Sequence, residues 1–336
     1  MCTGIKLVAQ NNAVTYARTL EFGQNLDSKI IMIPRNYVLT SLAPSGQGLQ
    51  WKTKYAAVGA NACGVLTILD GVNEQGLGGG LFYFPDYAYY QTVTKEEEAN
   101  SIAPWDLMTW VLTTCDSVAQ VKELLPTIKV SNTFFDPWKI VPPVHAIVHD
   151  AQGFSLVIEY IDGKLIMHDN PIGTCTNAPS FDWHMTNLKN YINLSPVNID
   201  KAQLGPICLT STGQGSGMLG LPGDFTPPSR FVRAAFLSQT AMNMTTEYEA
   251  IHTAFHILNL FNIPQGTVRE KIDNGISCDY TQWTSAADLK NKCYYFHTYD
   301  NRQIHMINLM RMTLDAQDPV VKEMRYKEGI ADITSL

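Results

Sequence analysis

The chain has 336 residues, of which 45% are hydrophobic, 16% charged and 10% aromatic. This composition is typical of an ordered globular protein and excludes a disordered chain. The formal net charge of −7 argues against a nucleic-acid partner, because a surface that binds phosphate needs a basic patch. No stretch approaches the roughly 18 consecutive apolar residues of a membrane span, so we expect a soluble protein without a membrane partner.

The first predicted strands lie within residues 4–8, 13–18 and 30–33. The tripeptide Gln10-Asn11-Asn12 favours a turn between the first two, so this hairpin would return Arg18 and Glu21 to the side of Cys2. Further strands are predicted at 55–59, 64–69 and 78–84. Turns are predicted at Asp70-Gly71 and at residues 73–76.

The hydrophobic period becomes helical between residues 101 and 129, where Pro104 suits a first helical turn and Asp116-Ser117 suits the cap of a second helix. A hairpin (145–149 and 154–160) and a strand (165–168) follow. We then predict a long ordered loop (193–228), two helices (229–239 and 246–260) and two strands (292–298 and 303–309). Strands, helices and strands again, without βαβ alternation, indicate an α+β fold. No domain break is evident, so we expect one domain over residues 2–336.

The seven cysteines are widely spaced, odd in number and free of any CxxC pair, which is typical neither of a disulfide framework nor of a zinc site. No signal peptide is recognisable before Cys2, so we expect a reducing, cytoplasmic location with most thiols free.

Cys2 is the first candidate catalytic residue. If Met1 is removed, Cys2 carries both a thiol and a free α-amine, whose reference pKa of about 8 lets it act as a general base near neutral pH. On its position alone a cysteine after methionine is more often accidental, since free cysteines usually behave as small buried hydrophobes. The hypothesis therefore depends on the motifs elsewhere in the chain.

Three other patterns point to different chemistry and are weak. The segment 215–220 matches GxGxxG, but it follows no clear strand, as a dinucleotide site would require. His252 and His256 are four residues apart on a predicted helix, but the metalloprotease glutamate and a third zinc ligand are missing. A Cys–His dyad at an internal cysteine stays open, although nothing local supports it.

A longer series of motifs is more specific. In chain order it comprises Cys2-Thr3, Ala17-Arg18-Thr19-Leu20-Glu21-Phe22, Ile33-Pro34-Arg35-Asn36-Tyr37, Asp70-Gly71-Val72-Asn73-Glu74-Gln75-Gly76-Leu77, Thr176-Asn177-Ala178-Pro179-Ser180-Phe181-Asp182-Trp183-His184 and Leu221-Pro222-Gly223-Asp224-Phe225-Thr226-Pro227-Pro228-Ser229-Arg230-Phe231. This succession resembles the choloylglycine hydrolase family, which includes bile salt hydrolases and penicillin V acylases, and it extends from Cys2 to at least Asp300.

The resemblance implies a four-layer αββα sandwich, the fold of N-terminal-nucleophile hydrolases, which cleave linear amides. It also implies a small-molecule amide substrate, a homotetramer, and a reaction that needs no metal and no organic cofactor.

By this resemblance Cys2 is the nucleophile, and Arg18 and Arg230 are the active-site arginines. A guanidinium near sulfur favours the thiolate, which is the reactive form. Asn177 falls on the asparagine whose side-chain NH₂ helps to form the oxyanion hole, and the backbone N–H of Tyr83 is the expected second donor.

Two positions modify this expectation. Glu21 stands where the family usually has an aspartate that holds the α-amine, and its extra methylene could displace the amine by roughly an ångström. Tyr83 falls on a position that is tyrosine in penicillin V acylases and asparagine in many bile salt hydrolases. With Phe82 and Phe84 as apolar neighbours in the substrate pocket, it favours a penicillin V acylase.

The sequence therefore predicts a cysteine amidase that is most similar to penicillin V acylases. The alternatives are a bile salt hydrolase and an N-acyl homoserine lactone acylase. Two readings from other classes also remain: a catalytically silent amide-binding protein, in which Glu21 has spoiled the base, and a structural protein with an accidental Cys2.

Overall fold

The computed structural model describes residues 1–272 and 275–324 and Thr334. The α-helices of the described residues are α1 (Leu107–Thr114), α2 (Val118–Leu124), α3 (Phe181–Asn187), α4 (Pro227–Thr240) and α5 (Glu247–Asn259). The strands of these residues are β1 (Cys2–Val8), β2 (Val14–Phe22), β3 (Lys29–Ile33), β4 (Val38–Ala43), β5 (Gly46–Lys52), β6 (Ala57–Ala60), β7 (Asp70–Asn73), β8 (Gly78–Tyr83), β9 (Ser101–Ile102), β10 (Lys129–Val130), β11 (Val144–His149), β12 (Ser155–Ile161), β13 (Lys164–Asp169), β14 (Lys201–Leu204), β15 (Ile207–Thr210), β16 (Val268–Ile272), β17 (Gly275–Asp288), β18 (Cys293–Thr298), β19 (His305–Asn308) and β20 (Val320–Glu323).

Two antiparallel sheets contain most of these strands. The first sheet has the order β1-β2-β17-β18-β19, and β16 pairs with the N-terminal part of β17. The second sheet has the order β13-β12-β11-β8-β7-β6-β3-β20. The predicted hairpin is confirmed: β1 and β2 pair with Cys2 opposite Leu20 and Gly4 opposite Arg18.

Three apolar clusters separate four layers. The space between α1 and the second sheet contains Trp110 and Leu81, and the space between the two sheets contains Tyr16 and Ile147. A third cluster, which includes Ile5 and Phe255, lies between the first sheet and α4 and α5. The αββα sandwich implied by the resemblance is therefore confirmed, as is the α+β class. Among the described residues, no helix is both long and apolar enough to cross a membrane.

Several local predictions were wrong. The predicted strand at 64–69 is a loop, because Cys63 and Gly64 have φ values of 55° and 67°, which an extended strand cannot contain. Asp70-Gly71 is not a turn and lies in the buried strand β7. The long loop expected at 193–228 contains the exposed hairpin of β14 and β15. The domain prediction extends to residue 336, and its last part lies largely outside the described residues.

Candidate active site

Cys2 begins strand β1 and is only 4% exposed. On its other side β1 meets Cys175, because Gly4 N donates to Cys175 O (2.8 Å) and Cys175 N donates to Gly4 O (3.1 Å). This position needs glycine, since a Cβ on Gly4 would lie 2.8 Å from the Phe82 ring. Cys2 therefore lies between the returning strand β2 and the segment that leads to Asn177.

Asn177 joins three of the predicted site residues. Its Oδ1 accepts hydrogen bonds from the backbone N–H of Cys2 (2.9 Å) and from Arg230 Nη2 (2.6 Å). Its Nδ2 donates to the carbonyl oxygen of Tyr83 (2.6 Å). All of these partners belong to different elements, so the buried amide of Asn177 fixes the relative positions of β1, β8 and α4.

Arg230 lies in the first turn of α4 and is fully buried. Its Nη1 donates to the carbonyl oxygen of Cys2 and to Thr3 Oγ1 (2.9 Å), and its Nε donates to Phe225 O (2.8 Å). Burial lowers the pKa of Arg230, while the nearby Glu21 carboxylate and Cys2 thiol favour the charged form. The Arg230 guanidinium is thus hydrogen-bonded to the backbone of Cys2, the candidate nucleophile.

Arg18 is the second buried cation. Its Nη1 donates to Leu81 O (3.0 Å), and its guanidinium lies 4.4 Å from the centre of the Phe82 ring. Nη2 has no hydrogen-bond partner among the described residues. Burial opposes the charged form, but the thiol of Cys2 and other acidic groups nearby raise the pKa of Arg18. A guanidinium with an unused donor close to the thiol would stabilise a thiolate.

Asp70, which the sequence interpretation placed in a turn, is the buried counter-charge near Arg18. Its carboxylate accepts hydrogen bonds from the hydroxyl groups of Tyr16 (2.7 Å), Ser285 (2.6 Å) and Tyr294 (2.6 Å). Burial raises the pKa of Asp70, and Arg18 opposes that shift. Its only sequence signal is an acidic residue within one of the family motifs.

The close approach of these groups explains one glycine. A Cβ on Gly80 would lie 2.6 Å from both Asp70 Oδ1 and Tyr16 Oη, and 3.3 Å from Arg18 Nη1. Gly80 therefore lets the polar cluster between the sheets contact the backbone of β8.

Glu21 is also buried, and it faces the N-terminus. Its Oε1 accepts a hydrogen bond from Thr281 Oγ1 (3.2 Å), and Oε2 has no hydrogen-bond partner in the described part of the chain. Burial raises the pKa of Glu21, while the N-terminal amine and Arg230 act in the opposite direction. The carboxylate thus keeps one free oxygen near the start of the chain.

Phe82, Tyr83 and Phe84, at the end of β8, differ in their burial. Phe82 and Phe84 have exposed fractions of 0%, and the Phe84 ring stacks on His145 at 4.2 Å. Strand alternation turns both side chains into the core and Tyr83 away from it. The expectation that Phe82 and Phe84 line a substrate pocket is therefore wrong, whereas half-buried Tyr83 does reach a cleft.

This cleft has a volume of about 740 Å³ and opens beside Met1. Its apolar walls are Phe22, Tyr83, Trp138, Ile140, Ile272 and Ile276, and its carboxylates are Asp86, Glu270 and Asp279. Tyr83 meets Phe22 edge-on at 5.7 Å, and Phe22 stacks on Trp138 at 5.1 Å. A smaller apolar pocket of about 60 Å³ lies behind Trp138.

Met1 itself lines this cleft. Its α-ammonium donates to Glu21 O (2.5 Å) and lies 3.6 Å from Asp279 Oδ2. Met1, the residue that precedes Cys2, therefore forms part of the wall of this cleft.

The competing motifs do not form sites. Cys175 Sγ lies 4.0 Å from His145 Nε2, but that nitrogen also contacts Thr176 O (3.0 Å), and burial raises the pKa of the Cys175 thiol well above its usual range. His252 and His256 lie on α5, and no group of metal-ligating side chains is found among the described residues. The GxGxxG segment is an irregular stretch around a short 3₁₀ turn, not a strand-to-helix junction.

Known proteins give a consistent comparison. The sequence profile of the linear amide C–N hydrolases, choloylglycine hydrolase family, matches residues 2–322. The bile salt hydrolase/transferase of Clostridium perfringens is 34% identical over 333 residues, which is 98% of this chain and 98% of the relative. The penicillin V acylase of Pectobacterium atrosepticum is 26% identical over 320 residues, with 88% of this chain and 77% of the relative covered.

Solved structures agree. The C2A mutant of the conjugated bile acid hydrolase from Clostridium perfringens superposes with a TM-score of 0.88 at 32% identity, and the match covers 99% of this chain and 100% of that structure. Because both the sequence profile and a relative above 30% identity span nearly the whole chain, the protein belongs to the choloylglycine hydrolase family of linear amide C–N hydrolases.

Proposed function

We propose that this amide hydrolase acts on conjugated bile salts, with Cys2 as its nucleophile. The observation that carries the proposal is the buried cluster of Cys2, Asn177 and Arg230. The chain that contains this cluster is 34% and 31% identical to two bile salt hydrolase/transferases. Penicillin V acylase was the main expectation from the sequence, and Tyr83 supports it. The penicillin V acylase among the relatives is more distant, however, so this activity becomes the second candidate.

In the proposed mechanism, removal of Met1 turns the backbone nitrogen of Cys2 into an α-amine. This amine takes the thiol proton, and Arg18 stabilises the thiolate that results. The sulfur attacks the amide carbonyl carbon, and the C–N bond breaks as the α-amine gives its proton to the leaving amine. Water then attacks the thioester, passing a proton to the α-amine, and the thiol is restored when the carboxylic acid leaves.

The oxyanion of the tetrahedral intermediate would be held by Asn177 and Tyr83. Phe84 N donates to Pro143 O, which continues the pairing of β8 with β11. Successive residues of a strand direct their N–H and C=O groups to opposite sides, so the N–H and C=O of Tyr83 point away from β11. The carbonyl of Tyr83 on that side meets Asn177 Nδ2. The Tyr83 N–H and the second proton of Asn177 Nδ2 can therefore converge on one oxygen, which is a large term in acyl transfer.

The cleft suggests how the substrate is oriented. The apolar walls around Phe22, Trp138 and Ile140 suit the apolar steroid of a bile salt. The carboxylates at Asp86, Glu270 and Asp279 would repel the anionic glycine or taurine end. We therefore place the acyl half in the cleft and the conjugated amino acid on the other side of Cys2.

A comparison of turnover tests this proposal. The processed enzyme should give a higher kcat/KM with glycocholate than with penicillin V or an N-acyl homoserine lactone. A preference for penicillin V would restore the acylase assignment. A protein that turns over none of the three, and shows no acyl mass increase on Cys2, would be the silent amide-binding homologue.

We also propose that the chain forms a homotetramer in the cytoplasm. The cytoplasmic location is supported by its seven cysteines, all of which are free thiols. The tetramer is supported by the arm formed by β14 and β15, in which Leu204, Ile207 and Leu209 are exposed. An exposed apolar hairpin of this kind is typical of a surface that a second copy of the chain would cover.

A further inference from the structure

The segment that carries Asn177 is held by two buried histidines. His145 Nε2 lies 3.0 Å from the carbonyl oxygen of Thr176, and His184 Nε2 lies 2.9 Å from that of Asn177. A carbonyl oxygen only accepts hydrogen bonds, so each of these ring nitrogens carries a proton. The two contacts hold the backbone on both sides of the Asn177 side chain.

Glu159 is the carboxylate that faces the second ring nitrogen of His145. This fully buried carboxylate accepts the backbone N–H of Phe181 (2.9 Å) and lies 3.4 Å from both His145 Nδ1 and His168 Nε2. Burial alone would raise the pKa of Glu159, but hydrogen bonding to the two histidines lowers it to about 2. Both nitrogens of His145 therefore face acceptors, the carboxylate on one side and the carbonyl on the other. An imidazolium satisfies this arrangement.

The His145 ring has no room to turn. The Phe84 ring lies parallel to it at 4.2 Å, the Phe82 ring meets it edge-on at 6.1 Å, and Cys175 Sγ lies 4.0 Å from Nε2. Rings packed in this way fix the direction in which Nε2–H points. This gives Phe82 and Phe84 a part in the site that differs from lining a pocket.

We propose that the buried His145–Glu159 pair is a positioning device that holds the Thr176 carbonyl and thereby keeps the Asn177 amide directed at the oxyanion. His145 is a positioning residue, because it contacts Thr176 and no reacting atom. This inference rests on the proposed function of Asn177 as an oxyanion donor.

Other ionisable groups lie around the pair. Besides Glu159, His145 faces the thiol of Cys175 and the imidazole of His184, which in turn lies near Arg230. His168, 25% exposed on β13, faces Glu159 and Asp182, and the hydrogen bond to Glu159 raises its pKa. Glu159 is thus the anion that faces both histidines.

Two substitutions of His145 separate positioning from packing. In His145→Gln the amide nitrogen can reproduce the Nε2–H contact with Thr176 O. In His145→Asn the shorter side chain places its amide at the position of Nδ1, where it can contact Glu159 but not Thr176 O. Both variants lose the ring, so both should lose stability to a similar extent. We expect His145→Gln to keep kcat within about three-fold of wild type. We expect His145→Asn to lower kcat by up to the roughly 100–1,000-fold that follows loss of an oxyanion donor, with KM little changed.

The control is His297→Gln, which removes a buried histidine that packs on Phe255 in the outer helix layer. It should lower Tm and leave kcat unchanged. Equal loss of kcat in both His145 variants, or no loss in either, would overturn the positioning role.

Crystal structures of the two His145 variants give the same comparison without turnover. Asn177 Nδ2 should stay within hydrogen-bond distance of Tyr83 O in His145→Gln and leave it in His145→Asn. If Asn177 moves as expected but the wild type cleaves no amide, the proposed function fails while the positioning role stands. If Asn177 keeps its place in both variants, the positioning role fails.

Discussion

Asn177 Oδ1 accepts a 2.9 Å hydrogen bond from the backbone nitrogen of Cys2. This nitrogen is the atom that becomes the α-amine when Met1 is removed. The contact that fixes a peptide N–H before processing can therefore hold the proposed general base afterwards, and Arg230 supports it by donating to the same oxygen. The proposed site is thus assembled while Met1 is still present.

The first prediction concerns processing. The active protein should lack Met1 by intact-mass analysis, because an amine in a peptide bond cannot accept the thiol proton. A chain with one glycine inserted between Met1 and Cys2 should lose at least about 100-fold in kcat, the scale of a general-base contribution. Its thiol should still react with iodoacetamide. Cys2→Ala sets the baseline of no turnover, and a wild-type rate in the glycine-inserted protein would exclude the α-amine as base.

A second prediction follows from the burial of Glu21, which raises its pKa. A carboxyl with a raised folded-state pKa stabilises the fold at pH values below its unfolded pKa, and this contribution is lost as the pH rises through the folded pKa. Ionised Glu21 therefore costs stability at pH 7. Glu21→Gln should raise Tm at pH 7 by about 2 °C or more, and this gain should vanish below about pH 4.

The same substitution should damage the reaction. If the carboxylate orients the α-amine, Glu21→Gln should lower kcat by about ten-fold or more, while Glu21→Asp should retain substantial activity. Scanning fluorimetry across pH, together with kcat for each variant, checks both effects. A variant that is more stable and equally active would show that Glu21 has no part in positioning the amine.

A third prediction concerns Tyr83, whose ring meets Phe22 edge-on at 5.7 Å in the cleft. Tyr83→Asn removes the ring and widens the entrance beside the proposed oxyanion hole. The ratio of kcat/KM for glycocholate to that for penicillin V should rise, within the roughly 10–200-fold range expected from one packing contact. Tyr83→Phe, which removes only the hydroxyl, should leave the ratio near that of wild type. A ratio that falls in Tyr83→Asn would contradict this role.

A fourth prediction concerns assembly. The side chains of Leu204 and Ile207 on the arm are 64% and 57% exposed. A Leu204→Lys/Ile207→Lys double variant should dissociate the proposed tetramer into smaller species by light scattering, because lysine would have to be buried in the interface. Met242→Lys, which alters an 87% exposed apolar residue on another loop, is the control and should remain tetrameric. An unchanged mass in the double variant would place the interface elsewhere.

Local patterns of the sequence predicted much of the fold. The hairpin of β1 and β2 follows from its turn residues. The helix cap predicted at Asp116-Ser117 is confirmed, and the structure places it at Ser117, whose side chain accepts a hydrogen bond from Gln120 N. The sequence did not reveal β17, since its 14 residues are bordered by β2 and β18 and show no clear alternation of polar and apolar side chains.

The site divides in the same way. The residues near the N-terminus could be expected because one hairpin brings them together. The role of Asp70 in the buried polar cluster could not be predicted, because its three hydroxyl partners come from strands far away in the chain. The true environment of Phe82 and Phe84 also depends on β11, which presents His145 to them.

Met1 lines the cleft, with its amine held by Glu21 O and close to Asp279. Any residues joined ahead of Met1 would have to pass through the cleft in which the proposed substrate would bind. An uncleaved purification tag at this end would then obstruct substrate binding as well as remove the proposed base. A tagged preparation would then be inactive for two reasons, and its inactivity would say nothing about the chemistry of Cys2.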